Sequence, residues 1–372
     1  MNILQIHNKY FFEGGEDQVV EEEKKMLLDK GHNVYQILRH NKKEIVTIKD
    51  KISTLLNLSH SPKTKDIINS ELQKIPKIDI AHIHNIFPLW SYSVFEVLNE
   101  NKIPIVMTLH NYRLIWSRFN LLDKDIKRFA CFKDSILKTF FISRLMNKKK
   151  VLLNLVKKFI TLSKFAKETF IEAGISTNRI SVKQNFLKKK NFNIKKIQDK
   201  SYAMYASRIE KLKGINFLLD TWNNYNLQLK IFGDGPLLAK LKKNNLNKNI
   251  YFCGNQPTEI IDSELNNSKF LIFPTEYYEN MPMTILQAFR SGTLVVASNI
   301  GSVKNIIKDG YNGILFNPED SKSLQNKLNW ISKNNDECNK IAQNGFNDFI
   351  KNYTDELNYD LLINIYNKAI IK

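Results

Sequence analysis

The chain is 372 residues long, 43% apolar and 25% charged, an ordinary globular composition that excludes extensive disorder and favours two cores over one. Its cysteines, Cys131, Cys253 and Cys338, are far apart and form no CxxC pair, which excludes a disulfide framework or zinc ribbon and fits a reducing compartment. The net charge of +19 is concentrated in residues 121–200, where 21 Lys and Arg face 6 Asp and Glu, as a solvated face or a surface for an anionic partner.

Short apolar runs alternate with amphipathic stretches, the pattern of βαβ units and parallel sheets. In the first half, strands are predicted at 2–6, 34–37, 79–83, 103–109, 159–162 and 180–183. A helix over 18–30 stops at Gly31, and Ser163 caps another over 164–173 that stops at Gly174. Before the first helix, the paired Gly14 and Gly15 act as a phosphate contact at its N-terminus or as a plain flexible turn. The third strand runs into Ala81-His-Ile-His84-Asn85, where His82 and His84 share a face. An HxH pair can ligate a metal, but no third ligand lies nearby in sequence, so these residues are read as hydrogen-bonding groups lining a cleft. The fourth strand runs into Thr108-Leu-His110-Asn111-Tyr112-Arg113. A neutral His110 there donates to a ligand hydroxyl, assists proton movement, or simply tethers the following loop.

The lysine- and asparagine-rich stretch 189–200 lacks an apolar period and reads as a linker. It separates a domain over 1–188 from one over 201–350, with a terminal helix over 351–372 expected to cross back to the first domain. Strands in the second half are predicted at 202–207, 227–232, 249–252, 270–274, 294–297 and 313–316, with helices at 214–222, 237–243, 259–265 and 282–291. The first of these strands runs into Ser207-Arg208-Ile-Glu-Lys-Leu-Lys213-Gly214. Arg208 can fork onto two phosphate oxygens and Lys213 adds a point charge, a pair suited to a diphosphate; a solvated basic turn is the plainer reading. In Phe232-Gly233-Asp-Gly-Pro-Leu, Gly233 lets the backbone approach a flat base. In Glu279-Asn280-Met281-Pro-Met283-Thr284-Ile-Leu-Gln287, free N–H groups around Met281–Thr284 face an anion at a helix start. Glu279 is placed to bind hydroxyls, or it is an N-cap acid beside a buried Gln287.

Taken in order, these strings resemble the retaining family-4 glycosyltransferases of the GT-B fold, and within them bacterial enzymes that build surface polysaccharides. The likeness spans roughly residues 2–315. It implies an α/β fold of two Rossmann-like doubly wound domains facing each other across a cleft. It also implies a nucleotide-sugar donor, a glycan or lipid-linked acceptor, transfer with retention, and no cofactor or obligatory metal. By this likeness Arg208 and Lys213 bind the diphosphate, Glu279 binds the donor sugar and His110 sits beside it at the reaction centre. Gly14 and Gly15 close over the phosphates, and Gly233, Asn280, Met281, Met283, Thr284 and Gln287 complete the donor site. His84, Asn85, Asn111 and Arg113 fall on the acceptor side. Where the family carries a second acid for the ribose, this chain has Gln287.

No nucleic-acid motif accompanies the basic stretch, and no run approaches the ~20 apolar residues of a spanning helix. No signal peptide is recognised. The expectation is a cytoplasmic enzyme, with its basic stretch offering a peripheral dock at the anionic inner face of the membrane. The alternatives are a GT-B-fold epimerase or phosphorylase, or a non-catalytic basic membrane-binding module.

Overall fold

The computed structural model describes residues 1–11, 14–57, 60–112, 114, 154–223 and 225–371. Within these, all twelve predicted strands form, as two six-stranded parallel sheets. The first contains β1 (Asn2–Lys9), β2 (Asn33–His40), β3 (Ile80–Asn85), β4 (Ile105–Leu109), β5 (Lys158–Thr161) and β6 (Ile180–Val182), in the order β2-β1-β3-β4-β5-β6. The second contains β7 (Tyr202–Ala206), β8 (Gln228–Phe232), β9 (Ile250–Gly254), β10 (Phe270–Phe273), β11 (Leu294–Ser298) and β12 (Ile314–Phe316), in the order β12-β11-β10-β7-β8-β9.

The strands formed where expected because helices cover both faces of each sheet. β3, β4, β7, β10 and β11 are buried at every residue, and a parallel strand buried on both faces reads as an unbroken apolar run. The helix boundaries follow local chemistry. Ser163 accepts a hydrogen bond from the Ala166 amide at 3.1 Å, starting the helix Lys164–Glu172. Gly31 and Gly174 adopt positive φ where the first and this later helix end.

Each sheet has one place where successive strands begin to add on the opposite side, between β1 and β3 in the first and between β10 and β7 in the second. The crevice at those neighbouring carboxyl ends is the usual ligand position in open α/β sheets. Four of the six sequence motifs follow the strands at these two places; the His110 motif follows β4 and the Gly233 motif follows β8.

The described residues up to Asn185, with those from Glu356 onward, form one compact unit, and Phe186–Asp355 form the other. The stretch 189–200 is packed within the second unit. Lys190 Nζ lies 2.6 Å from Asp262, Arg290 donates to the Lys188 carbonyl at 3.0 Å, and Ile197 is buried in the second core. The C-terminal helix Asp355–Ile370 buries Asn358, Leu362, Ile365, Tyr366 and Ala369.

Candidate functional site

At the first crevice, Gly14 caps the helix Gly15–Asp29. Its N–H is already engaged, donating to Asp17 Oδ2 at 3.0 Å, while Asp17 Oδ1 meets His7 Nε2 at 2.8 Å. Asn85, at the end of β3, donates to the carbonyls of Asn8 (3.0 Å) and Phe87 (3.2 Å) and accepts from the Phe87 amide at 3.0 Å. Its bond to Asn8 joins the ends of β1 and β3, while its bonds to Phe87 fix the loop that follows β3. Asn111 donates to Tyr10 Oη at 3.4 Å. Arg113 lies outside the described residues, as do Cys131 and Lys148–150 of the basic stretch.

Beneath these loops is a buried polar cluster whose centre is Glu23. It comes from the first helix and is fully buried. One carboxylate oxygen, Oε1, faces His82 Nδ1 at 2.9 Å and His84 Nε2 at 3.3 Å; the other, Oε2, faces the Lys183 ammonium at 3.1 Å. Lys183 also donates to Asn358 Oδ1 at 3.0 Å, and His82 Nδ1 meets Tyr366 Oη at 2.7 Å, both from the C-terminal helix. Burial alone would raise the Glu23 pKa, but Lys183, His82 and His84 together hold it well below the usual carboxylate value. Burial, helped by His82, pushes His84 down to about 3, and burial pushes His110 well below its ordinary value. Both imidazoles are therefore neutral near pH 7. They are bonded to each other, His84 Nδ1 to His110 Nε2 at 3.1 Å, and both line a pocket with Trp90, Tyr92, Met107 and Leu109.

Glu23 supplies the third potential metal ligand that the sequence neighbourhood of His82 and His84 lacks, all the ligand atoms lying within 4.8 Å of one another. The Lys183 ammonium already supplies the cation this carboxylate requires.

At the second crevice, the β7 loop and the β10 loop carry complementary groups. Lys213 Nζ lies 2.5 Å from Glu279 Oε1 and 4.7 Å from the centre of the Tyr277 ring. Glu279 also accepts from Tyr277 Oη at 3.0 Å and from Thr275 Oγ1 at 3.4 Å. Its own backbone carbonyl accepts from Ser302 Oγ. Burial, then the Glu279 charge, drives the Tyr277 pKa well above its ordinary value, so its hydroxyl stays a donor. Arg208 is exposed, its guanidinium 3.6 Å from Glu210.

Two backbone features hold these loops together. Gly214 has φ +71, and a Cβ there would fall 1.7 Å from the Pro274 carbonyl oxygen, so the two loops touch backbone to backbone. Thr284 Oγ1 bonds the Ala206 carbonyl at 3.3 Å, fixing the start of the helix Met283–Arg290 beside the end of β7. No side chain caps that helix. Asn280, Met281, Met283 and Gln287 are buried around it. Gly233 has φ +127, and its hydrogen is required by the Ser207 carbonyl, 1.9 Å from where a Cβ would stand. Packing within the protein therefore accounts for this glycine without any ligand.

Glu23, Lys183, Asn358, Tyr366, Thr275 and Tyr277 are not among the sequence-predicted site residues. Their only sequence signal is a charged or polar residue interrupting an apolar helix face or strand end.

The chain is similar to known glycosyltransferases in sequence and in fold. The Glycosyltransferase Family 4 model matches residues 14–188 and the Glycosyl transferases group 1 model matches 187–348. An uncharacterized glycosyltransferase of Methanocaldococcus jannaschii is 24% identical over 285 residues, covering 76% of this chain and 72% of the relative. The O-antigen chain mannosyltransferase C of Escherichia coli is 24% identical over 173 residues, 45% of this chain and 46% of the relative. Anabaena HepE, solved in complex with UDP-glucose, superposes with a TM-score of 0.71 at 16% identity, covering 99% of this chain and 100% of HepE. A two-sheet α/β glycosyltransferase is the class these features define. The chain belongs to the family-4-type glycosyltransferases and has the GT-B fold.

Proposed function

We infer that this enzyme moves a sugar from a nucleotide-sugar donor to a glycan or lipid-linked acceptor in surface-polysaccharide assembly. The observation that carries the reading is the second crevice, where Arg208, Lys213 and Glu279 sit on the loops leaving two adjacent strand ends. Cations beside an uncapped helix start suit a diphosphate whose negative charge grows as the glycosidic bond breaks. Arg208 and Lys213 then supply the charge that a metal would otherwise bring. Glu279, held by Lys213, Tyr277 and Thr275, takes the hydroxyls of the donor sugar, and His110, in the pocket of the first unit, is assigned to a sugar hydroxyl by family likeness. The polysaccharide assignment draws on the O-antigen mannosyltransferase among the relatives.

By family likeness the reaction retains configuration. The bond from the anomeric carbon to the leaving phosphate oxygen breaks, and the acceptor oxygen bonds the same face. The acceptor proton passes to that phosphate oxygen. Release of nucleoside diphosphate that requires acceptor, followed in a coupled assay over UDP- and GDP-sugars, tests the reading. Release without acceptor, or none with any donor, contradicts it.

Peripheral docking on an anionic membrane is the accompanying proposal for the basic stretch. Part of that charge is used internally: Lys183 and Lys190 are paired, and Lys200 is buried, its pKa lowered to about 8 by burial and by Lys195. Docking thus falls to the remaining lysines. Flotation with anionic but not neutral liposomes is the expected result; equal binding to both rejects it.

A further inference from the structure

Two neutral imidazoles joined by one hydrogen bond have only two arrangements, because one nitrogen must donate and the other accept. His84 and His110 are such a pair, with Nδ1 of His84 3.1 Å from Nε2 of His110. The other nitrogen of His84, Nε2, lies 3.3 Å from Glu23 Oε1 and makes no aligned hydrogen bond. A lone pair at that distance from a carboxylate oxygen is repelled, whereas an N–H is attracted. Glu23 therefore selects the proton at Nε2 of His84, which leaves Nδ1 as the acceptor. His110 must then donate through Nε2.

We propose that Glu23, acting through His84, is a positioning residue that fixes His110 as its Nε2–H tautomer, so that Nδ1 offers a lone pair. Among the described residues Nδ1 of His110 makes no hydrogen bond, and the ring lines the first unit's pocket. His110 consequently accepts from a sugar hydroxyl and cannot donate to one, whereas a free imidazole can do either. The neighbouring groups are consistent with this order. Oε2 of Glu23 is held by Lys183, and His82 has Glu23 and Tyr366 at Nδ1 and the Thr108 hydroxyl at Nε2, 2.8 Å away. His7 is turned to Asp17. The link to sugar rests on the function proposed above; the tautomer does not.

The test is a long-range proton–nitrogen correlation spectrum of the full chain labelled at histidine nitrogen, without substrate, with the His110 signals assigned from their loss in His110→Gln. The expected spectrum has a pyrrole-type Nε2 and a pyridine-type Nδ1 for His110. A protonated Nδ1, or an even mixture, overturns the proposal. Glu23→Gln alone leaves Lys183 uncompensated and risks unfolding, so the second sample is Glu23→Gln with Lys183→Met. That variant is expected to fold, to show a mixed or reversed His110 tautomer, and to lose at least tenfold in kcat with a smaller change in KM. An unchanged tautomer there overturns the role of Glu23. If the tautomer is as stated but His110→Gln transfers sugar at the full rate, the relay stands and the assignment of His110 to the sugar fails.

Discussion

At the residue scale, the strongest constraints are buried charges. Glu23 has a folded pKa below its ordinary 4.5, so it contributes stability that is present above that value and lost as the pH falls through the folded one. His84 has a folded value of about 3 against 6.5, so the unfolded chain binds the extra proton between those limits. Both effects act in the same direction. The melting temperature should decline steadily as the pH falls from 6.5 toward 3, and thermal unfolding followed by circular dichroism checks this; a flat profile through that window contradicts the cluster. In the second unit, Lys213→Ala would remove the cation 2.5 Å from Glu279 and is expected to weaken donor binding at least tenfold in a titration. Gln287→Glu would place a charged acceptor at the position that family likeness assigns to the ribose. It is expected to preserve or tighten donor binding by about 1 kcal/mol, roughly fivefold, and loss of binding would reject the assignment.

The elements themselves were legible in the sequence because strands buried on both faces are apolar without interruption, as at Leu294–Ser298. Ser163, Gly31 and Gly174 marked helix ends by local chemistry that needs no partner. Less legible was the stretch 189–200. Its lysines and asparagines hide the contacts of Ile194 and Ile197, which pack against Gly292 and the second core. The cluster around Glu23 was not legible, since Lys183 lies 160 residues away and Tyr366 lies 284 residues from its partner His82. No local pattern encodes such contacts. Glycines show the same division. Gly214→Ala should destabilise the second unit by on the order of 3 kcal/mol, from left-handed strain plus collision with the Pro274 carbonyl. Gly31→Ala, also at positive φ but with nothing within 4 Å, should cost only about 1 kcal/mol. Urea denaturation of the two variants measures the difference, and equal costs would mean the loop contact at Gly214 is not tight.

For the whole molecule, the chain's two ends serve one unit. The C-terminal helix supplies Asn358 to Lys183 and Tyr366 to His82, so deletion from residue 355 onward is expected to abolish cooperative unfolding of the first unit in calorimetry. An unchanged thermogram would show that these bonds are incidental. The fold was readable because six motifs follow strand ends in a fixed order. The donor and acceptor were not, because their recognition depends on the shape of the site and not on pattern. The central claim is that the second crevice binds a nucleotide sugar through Arg208 and Lys213. Calorimetric titration of the intact protein and of Arg208→Ala with UDP- and GDP-sugars tests it most directly. Saturable binding of at least one donor is expected, weakened at least tenfold in a folded Arg208→Ala variant. Equal affinity in the two proteins, or no binding of any nucleotide sugar, would contradict it.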